Sequence, residues 1–504
     1  MMPRTATPTS ADTTVREEVG IQFPAGSDGT RPTTPTVKAI VAEAVRSSDP
    51  TLASRVQADT SWRQGYVGAM RELTVRTAND DGAATTIARN GLAAARAHLV
   101  HVANDGTQTP LADLDVDAAV DAARGTFGTH TVDGTAEPRQ ELAIPYQGRM
   151  LSGHDLERQL AAWVHKGIVE QSCADAVMRV VAHPEWLSLP GHVVADIGAG
   201  AEMGPLEMLS SWGARILAID IHRVSERLEK MARDGAGHVS LPTKDGETGA
   251  DITRDTSAVA AWIDEQAGDD TVVLGMHAYA DSGMHIRLTL AADLIATWLQ
   301  ERRPTTVLAY LATPTDAFVV PQEIVDGARS RWSRHGSKDF AKRALRTASR
   351  GQLFTEPYPR GSRVADCIIA QQGPNYAVAK RLQRWRAVAS EADGRRVSFN
   401  VAPATFTRSV TKNTALKAAY AGAHHFGVEV FAAETSRTLM AALLVHDVMR
   451  DDLAPGAPPQ RAHAEELFSD GAAHGGLWRT AWAPRSALGV AAALGAPKAL
   501  RRKA

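Results

Sequence analysis

From residue 192 onward the chain alternates short apolar runs with longer amphipathic stretches. Residues 192–197, 214–220, 249–253, 271–276 and 305–312 read as strands, because each is a brief apolar run bounded by Gly, Asp or Pro. Most are apolar throughout rather than alternating, the pattern of strands covered on both faces. Residues 286–300 carry apolar side chains at helical spacing, and 375–392 do so again before a last strand at 395–403. Strand and helix in alternation imply crossover connections and a parallel, doubly wound α/β sheet over 188–415.

The flanks follow a different pattern. Residues 35–187 look mostly helical, with apolar residues at helical spacing in 37–45, 84–92 and 156–180 and turn signals at Asn104-Asp105-Gly106 and Val132-Asp133-Gly134. They hold no catalytic motif, so a cap or an oligomerisation layer is the expectation. Residues 1–34, rich in Thr, Pro and Ser, read as a disordered tail. A basic segment bearing Pro and Gly at about 316–366 interrupts the strand–helix alternation, and 416–504 reads as a helical C-terminal extension.

Composition narrows the function classes. Hydrophobic content of 44% and charged content of 22% are ordinary for a globular protein. A net charge of −2 gives no electrostatic footing for nucleic acid. Cys173 and Cys367 lie far apart and make no ligand spacing with each other or with His, so no metal site or disulfide scaffold is expected and a cytoplasmic setting fits. No apolar run reaches the ~18–20 residues of a membrane span. The expected partner is a small-molecule or lipid-like substrate, and the helical flanks leave room for a homo-oligomer.

The richest chemistry lies at 193–204, Val-Val-Ala-Asp-Ile-Gly-Ala-Gly-Ala-Glu-Met-Gly. A strand breaks into Gly198, Gly200 and Gly204, which allow a tight turn and let backbone N–H groups approach a ligand at a helix N-terminus. Asp220 ends the next strand, 22 residues after Gly198, close to the ~20 expected of a ribose-binding acid. Asp196-Ile197-Gly198-Ala199-Gly200 resembles the D-x-G-x-G loop of class I S-adenosylmethionine-dependent methyltransferases, in which Asp220 would hold the ribose and Asp251 would meet the adenine.

Further residues favour a second resemblance. Gly200-Ala201-Glu202-Met203-Gly204 is G-x-x-x-G, and Tyr376-Ala377-Val378-Ala379-Lys380 is Y-x-x-x-K at the start of a helix, with Tyr and Lys on one face. Arg396-Val397-Ser398-Phe399-Asn400-Val401-Ala402-Pro403 follows, with Thr407 soon after. Together these resemble the short-chain dehydrogenases/reductases, a Rossmann-fold NAD(P)-binding family. The resemblance implies a cofactor site from Gly198, Gly200, Glu202, Met203, Gly204, Asp220, Asp251, Pro403 and Thr407. It implies NAD in preference to NADP because of Asp220, with S-adenosylmethionine as the alternative cofactor. It also implies Tyr376 as proton carrier, Lys380 lowering the tyrosine's pKa, and Thr313 or Thr315 where the family has a serine. His277-Ala278-Tyr279 stands at the family's N-A-G. With the serine and the family's usual helix asparagine missing, a non-catalytic nucleotide-binding protein is the third reading.

Overall fold

The computed structural model describes residues 19–334 and 337–501. Residues 1–18 of the expected tail lie outside that range. Its remainder is structured: Gly20–Gln22 is a buried strand paired antiparallel with Val100–Val102.

The centre is an eight-stranded, mostly parallel sheet. Its strands are β1 (Gly128–Asp133), β2 (His192–Ile197), β3 (Arg215–Ile219), β4 (His238–Lys244), β5 (Glu247–Thr248), β6 (Thr271–Met276), β7 (Val307–Ala312) and β8 (Val397–Val401). The parallel strands lie in the order β4-β3-β2-β6-β7-β8, while β1 and β5 pair antiparallel with β4. Side chains alternate between two cores, as a pleated strand requires. Val193, Ala195 and Ile197, with Leu274, Leu308 and Phe399, face one core; Val194, Ile216, Val273 and Val307 face the other. Both faces are thus covered, which explains the continuous apolar runs.

The expected strand at 249–253 is a correction. It is a loop, and the third parallel strand is β4. Pro242 and the glycines before His238 hide β4 in the sequence. The structure tolerates Pro242 because β3 pairs only with His238–Ser240, leaving the proline beyond that ladder.

The boundary expected near residue 187 does not separate two cores. Ile40, Leu73, Ile87 and Leu92 share one apolar cluster with Leu290, Leu382 and Trp385. Gly91, in helix Asp81–His98, lies so close to Trp385 that an added Cβ would sit 2.3 Å from its ring. Asp293 accepts from Arg96 at 2.7 Å and from Arg386 at 2.5 Å, joining this region to the sheet's own helices. Across the sheet, helix Ala433–Met449 covers the second face with Leu439 and Leu443. Among the described residues no helix is long and apolar enough to cross a membrane.

Candidate active-site cleft

A cavity of about 490 Å³ opens at the C-terminal ends of β2, β6, β7 and β8. Parallel strands end there in unpaired loops, which is where open α/β sheets bind ligands. The cleft brings together Thr313, Thr315, Tyr376 and Lys380 with Met203, Pro403 and Thr407. Each arrives on a separate support: the threonines just past β7, Tyr376 and Lys380 on helix Pro374–Ala392, Pro403 and Thr407 just past β8.

The threonines are joined by hydrogen bonds. Gln372 Nε2 donates to Thr315 Oγ1 at 2.9 Å, and the Thr315 and Thr313 hydroxyls lie 2.8 Å apart, where either can donate to the other.

Tyr376 and Lys380 correct an expectation. The sequence implied that Lys380 lowers the tyrosine's pKa. Instead burial pushes the Tyr376 phenol up, with the negative charge of Asp316 and the neighbouring Tyr279 and Tyr420 adding to it. The Lys380 ammonium is directed to the Leu311 carbonyl oxygen at 3.2 Å and to Gln383 Oε1 at 3.0 Å. Burial lowers Lys380 itself to about 8, against a small opposing pull from Asp316. Both side chains keep one face on the cleft while protein encloses the rest. Under Tyr376 the His285 ring is stacked at 5.6 Å with planes 8° apart. Burial, then Lys380, lowers His285 to about 3, so this imidazole is neutral.

A pair missed in the sequence is Asp196 with His277. His277 Nδ1 lies 2.7 Å from Asp196 Oδ1, and their side chains are 4% and 0% exposed. Asp196 Oδ2 is buried without a hydrogen-bond partner. His277 turns Nδ1 to the carboxylate and lines the cleft. Gly275 makes room for the ring: an added Cβ would stand 2.6 Å from His277 Cε1. No local spacing signals the pair: Asp196 and Gly275 become register partners only when the two strands meet in the sheet.

The glycine turn is held by the protein itself. Gly198 has φ +84° and its missing Cβ would meet Ala278 backbone at 2.3 Å, so glycine is required for the β2 and β6 loops to touch. Gly198 N and Ala199 N donate to Ile219 O, and Gly200 N to Asp220 Oδ2 at 2.9 Å. Ala201 N donates to Gly198 O and Gly204 N to Ala201 O. Glu202 accepts from Arg408 N at 2.9 Å, tying the turn to the segment after β8. The helix after the turn, Leu206–Ser211, is a short one of six residues.

Asp220 accepts from Gly200 N and, at 2.8 Å, from Ile221 N. Burial raises its pKa while these two bonds oppose the rise. Ala250 N donates to Asp220 O at 2.8 Å, so the Asp251 loop lies beside it. Asp251 itself caps Thr253 N and Oγ1. Gly198, Gly200, Asp220 and Asp251 thus gather over β2 and β3, adjoining the cleft through Ala278 but not lining it. Among the described residues no group of His, Cys, Asp and Glu could hold a metal ion.

Comparison with family models, with curated proteins and with solved structures gave no match.

Proposed function

We propose that the chain is an NAD(P)-dependent oxidoreductase of the short-chain dehydrogenase/reductase type, acting on a carbonyl/alcohol pair in the cleft. The observation that carries this reading is the convergence of Thr313, Tyr376, Lys380, Pro403 and Thr407, far apart in sequence, on one cavity. The parallel order β4-β3-β2-β6-β7-β8 supports it, since Rossmann-like sheets of this order bind dinucleotides where the strand order reverses. That reversal falls between β2 and β6, at the glycine turn and His277. The unpaired, buried Cys173 and Cys367 agree with a reducing cytoplasm.

For the nucleoside end the residues fit: each Asp220 oxygen accepts one backbone N–H and keeps a lone pair for a ribose hydroxyl. A bound nicotinamide would supply the hydride. Tyr376, its phenol held protonated by burial, donates the proton that the alkoxide oxygen needs. Thr313 donates a hydrogen bond to the same oxygen. Lys380 stays an ammonium below about pH 8 and is held by the Leu311 carbonyl and Gln383.

The second reading, an S-adenosylmethionine-dependent methyltransferase, is favoured by the turn. Its N–H groups at Gly198, Ala199, Gly200, Ala201 and Gly204 are all engaged internally, which suits a cofactor without phosphate better than a pyrophosphate. Titration with NADH, NADPH and S-adenosylmethionine separates the two. Saturable NADH or NADPH binding is expected, with Tyr376→Phe retaining it within about threefold while losing at least ~100-fold in turnover. S-adenosylmethionine binding without nicotinamide binding would hand the chain to the second reading.

A further inference from the structure

The cleft adjoins a second cavity of about 70 Å³, and Thr315, Ile369 and Tyr420 line both. The further walls of this chamber are apolar: Ala404, Ala419, Val428, Trp482, Leu488 and Ala491. It lies under helices Thr414–Gly422 and Pro484–Arg501. Those helices cannot come closer to fill it. An added Cβ on Gly422 would be 2.0 Å from Ala491 O, and one on Gly495 would be 1.9 Å from Ala418 O. The backbones already touch, and the alanines beside the contact leave the space. Protein interiors are otherwise close-packed, and an apolar void costs stability in proportion to its volume. Arg485 is the chamber's charged residue, and its guanidinium is turned outward to Asp366. Thr480, also on the wall, donates its hydroxyl to the Trp482 carbonyl at 2.7 Å, so neither it nor Arg485 is turned to receive a carboxylate or phosphate.

We propose that the chamber seats the straight aliphatic tail of an amphipathic substrate whose polar reactive end lies at Thr313, Tyr376 and Lys380. At roughly 14 Å³ for each water-sized group, the space takes a tail of about five carbons. The identity of the polar end as a carbonyl or alcohol rests on the oxidoreductase reading; the tail does not.

The test is calorimetric titration of the purified chain, without cofactor, with straight-chain primary alcohols from ethanol to octanol. Affinity should rise about fourfold per methylene and level off near hexanol. Ala491→Leu should bring the plateau to shorter chains, and Ala419→Leu serves if that variant fails to fold. Affinity that ignores chain length, or that climbs without a plateau alike in wild type and variant, overturns the proposal. Parallel assays of the matching aldehydes with NADH and NADPH keep the two ideas apart. Length-dependent alcohol binding without aldehyde reduction removes the oxidoreductase reading and leaves the tail site. Reduction at equal efficiency for all chain lengths does the opposite.

Discussion

At the residue scale the cleft is a place where stability and function pull apart. Lys380 is held well below an ordinary lysine, at about 8, because protein encloses its ammonium. The unfolded chain therefore binds more protons between about pH 8 and 10.5, and this group makes folding more favourable as pH rises through that window. Below pH 8 its cost is fully present. Lys380→Met removes that cost, with an upper bound of about 3 kcal/mol at ~1.36 kcal/mol per pKa unit, reduced by water in the cleft. The variant should show an unfolding midpoint in denaturant at or above wild type at pH 7 while losing turnover; a clear loss of stability would show that the hydrogen bonds to Leu311 and Gln383 outweigh burial. The Asp196–His277 pair makes a second prediction. Gly275→Ala forces the His277 ring off its strand, at about 1–3 kcal/mol for overpacking. Its urea midpoint should fall accordingly, and the His277 imidazole resonances in NMR spectra should shift; unchanged resonances would mean the ring has another seat. Tyr376 and Lys380 were legible as a spaced pair in the sequence. The direction of the tyrosine's shift was not, because it depends on what encloses the ring.

At the element scale, the segments flanking the strand–helix region are built into the same cores. Glu170 follows helix Gly153–Lys166 and is clamped by His474 at 2.7 Å and by Arg479 at 2.6 Å. Burial would raise the Glu170 carboxyl, but these two partners together outweigh it and hold it at about 2. Its contribution is present above about pH 4.5 and is lost as pH falls toward 2, about 3 kcal/mol in all. Glu170→Gln should therefore flatten the acid limb of a stability–pH curve measured by denaturant unfolding, besides lowering stability at neutral pH by about 3–5 kcal/mol for the stranded partner. A curve parallel to wild type between pH 4.5 and 2 would contradict the clamp. On the opposite face, Gly91→Ala gains up to ~1 kcal/mol of helix propensity but drives a methyl group into Trp385. Overpacking of about 1–3 kcal/mol wins, so the denaturant midpoint should drop and Trp385 fluorescence should change. In the sequence, Glu170, His474 and Arg479 look like scattered polar residues, since the hydrogen bonds joining them span about 300 positions.

At the scale of the whole molecule, a cleft at the strand-order reversal and an apolar chamber beside it share Thr315, Ile369 and Tyr420 as walls. A ligand at 100 times its Kd stabilises the folded state by about 2.7 kcal/mol. NADH or NADPH should therefore raise the melting temperature of the intact chain in a concentration-dependent way, and a flat response to both would count against the nicotinamide. The strands β2, β6 and β7, the Tyr376–Lys380 helix and the turn at Gly198 were determined by sequence alone, because backbone hydrogen bonding and side-chain periodicity act over neighbouring residues. β4 escaped, since Pro242 obscures a pattern that its partners nevertheless support. Only the tertiary structure decided that Asp196 meets His277, that Asp220 is already bound to Gly200, and that the glycines serve contacts within the protein. It also decided where empty space lies. Cavities, burial and the charge states that follow from burial arise from chain segments brought together across long separations, and no local spacing encodes them.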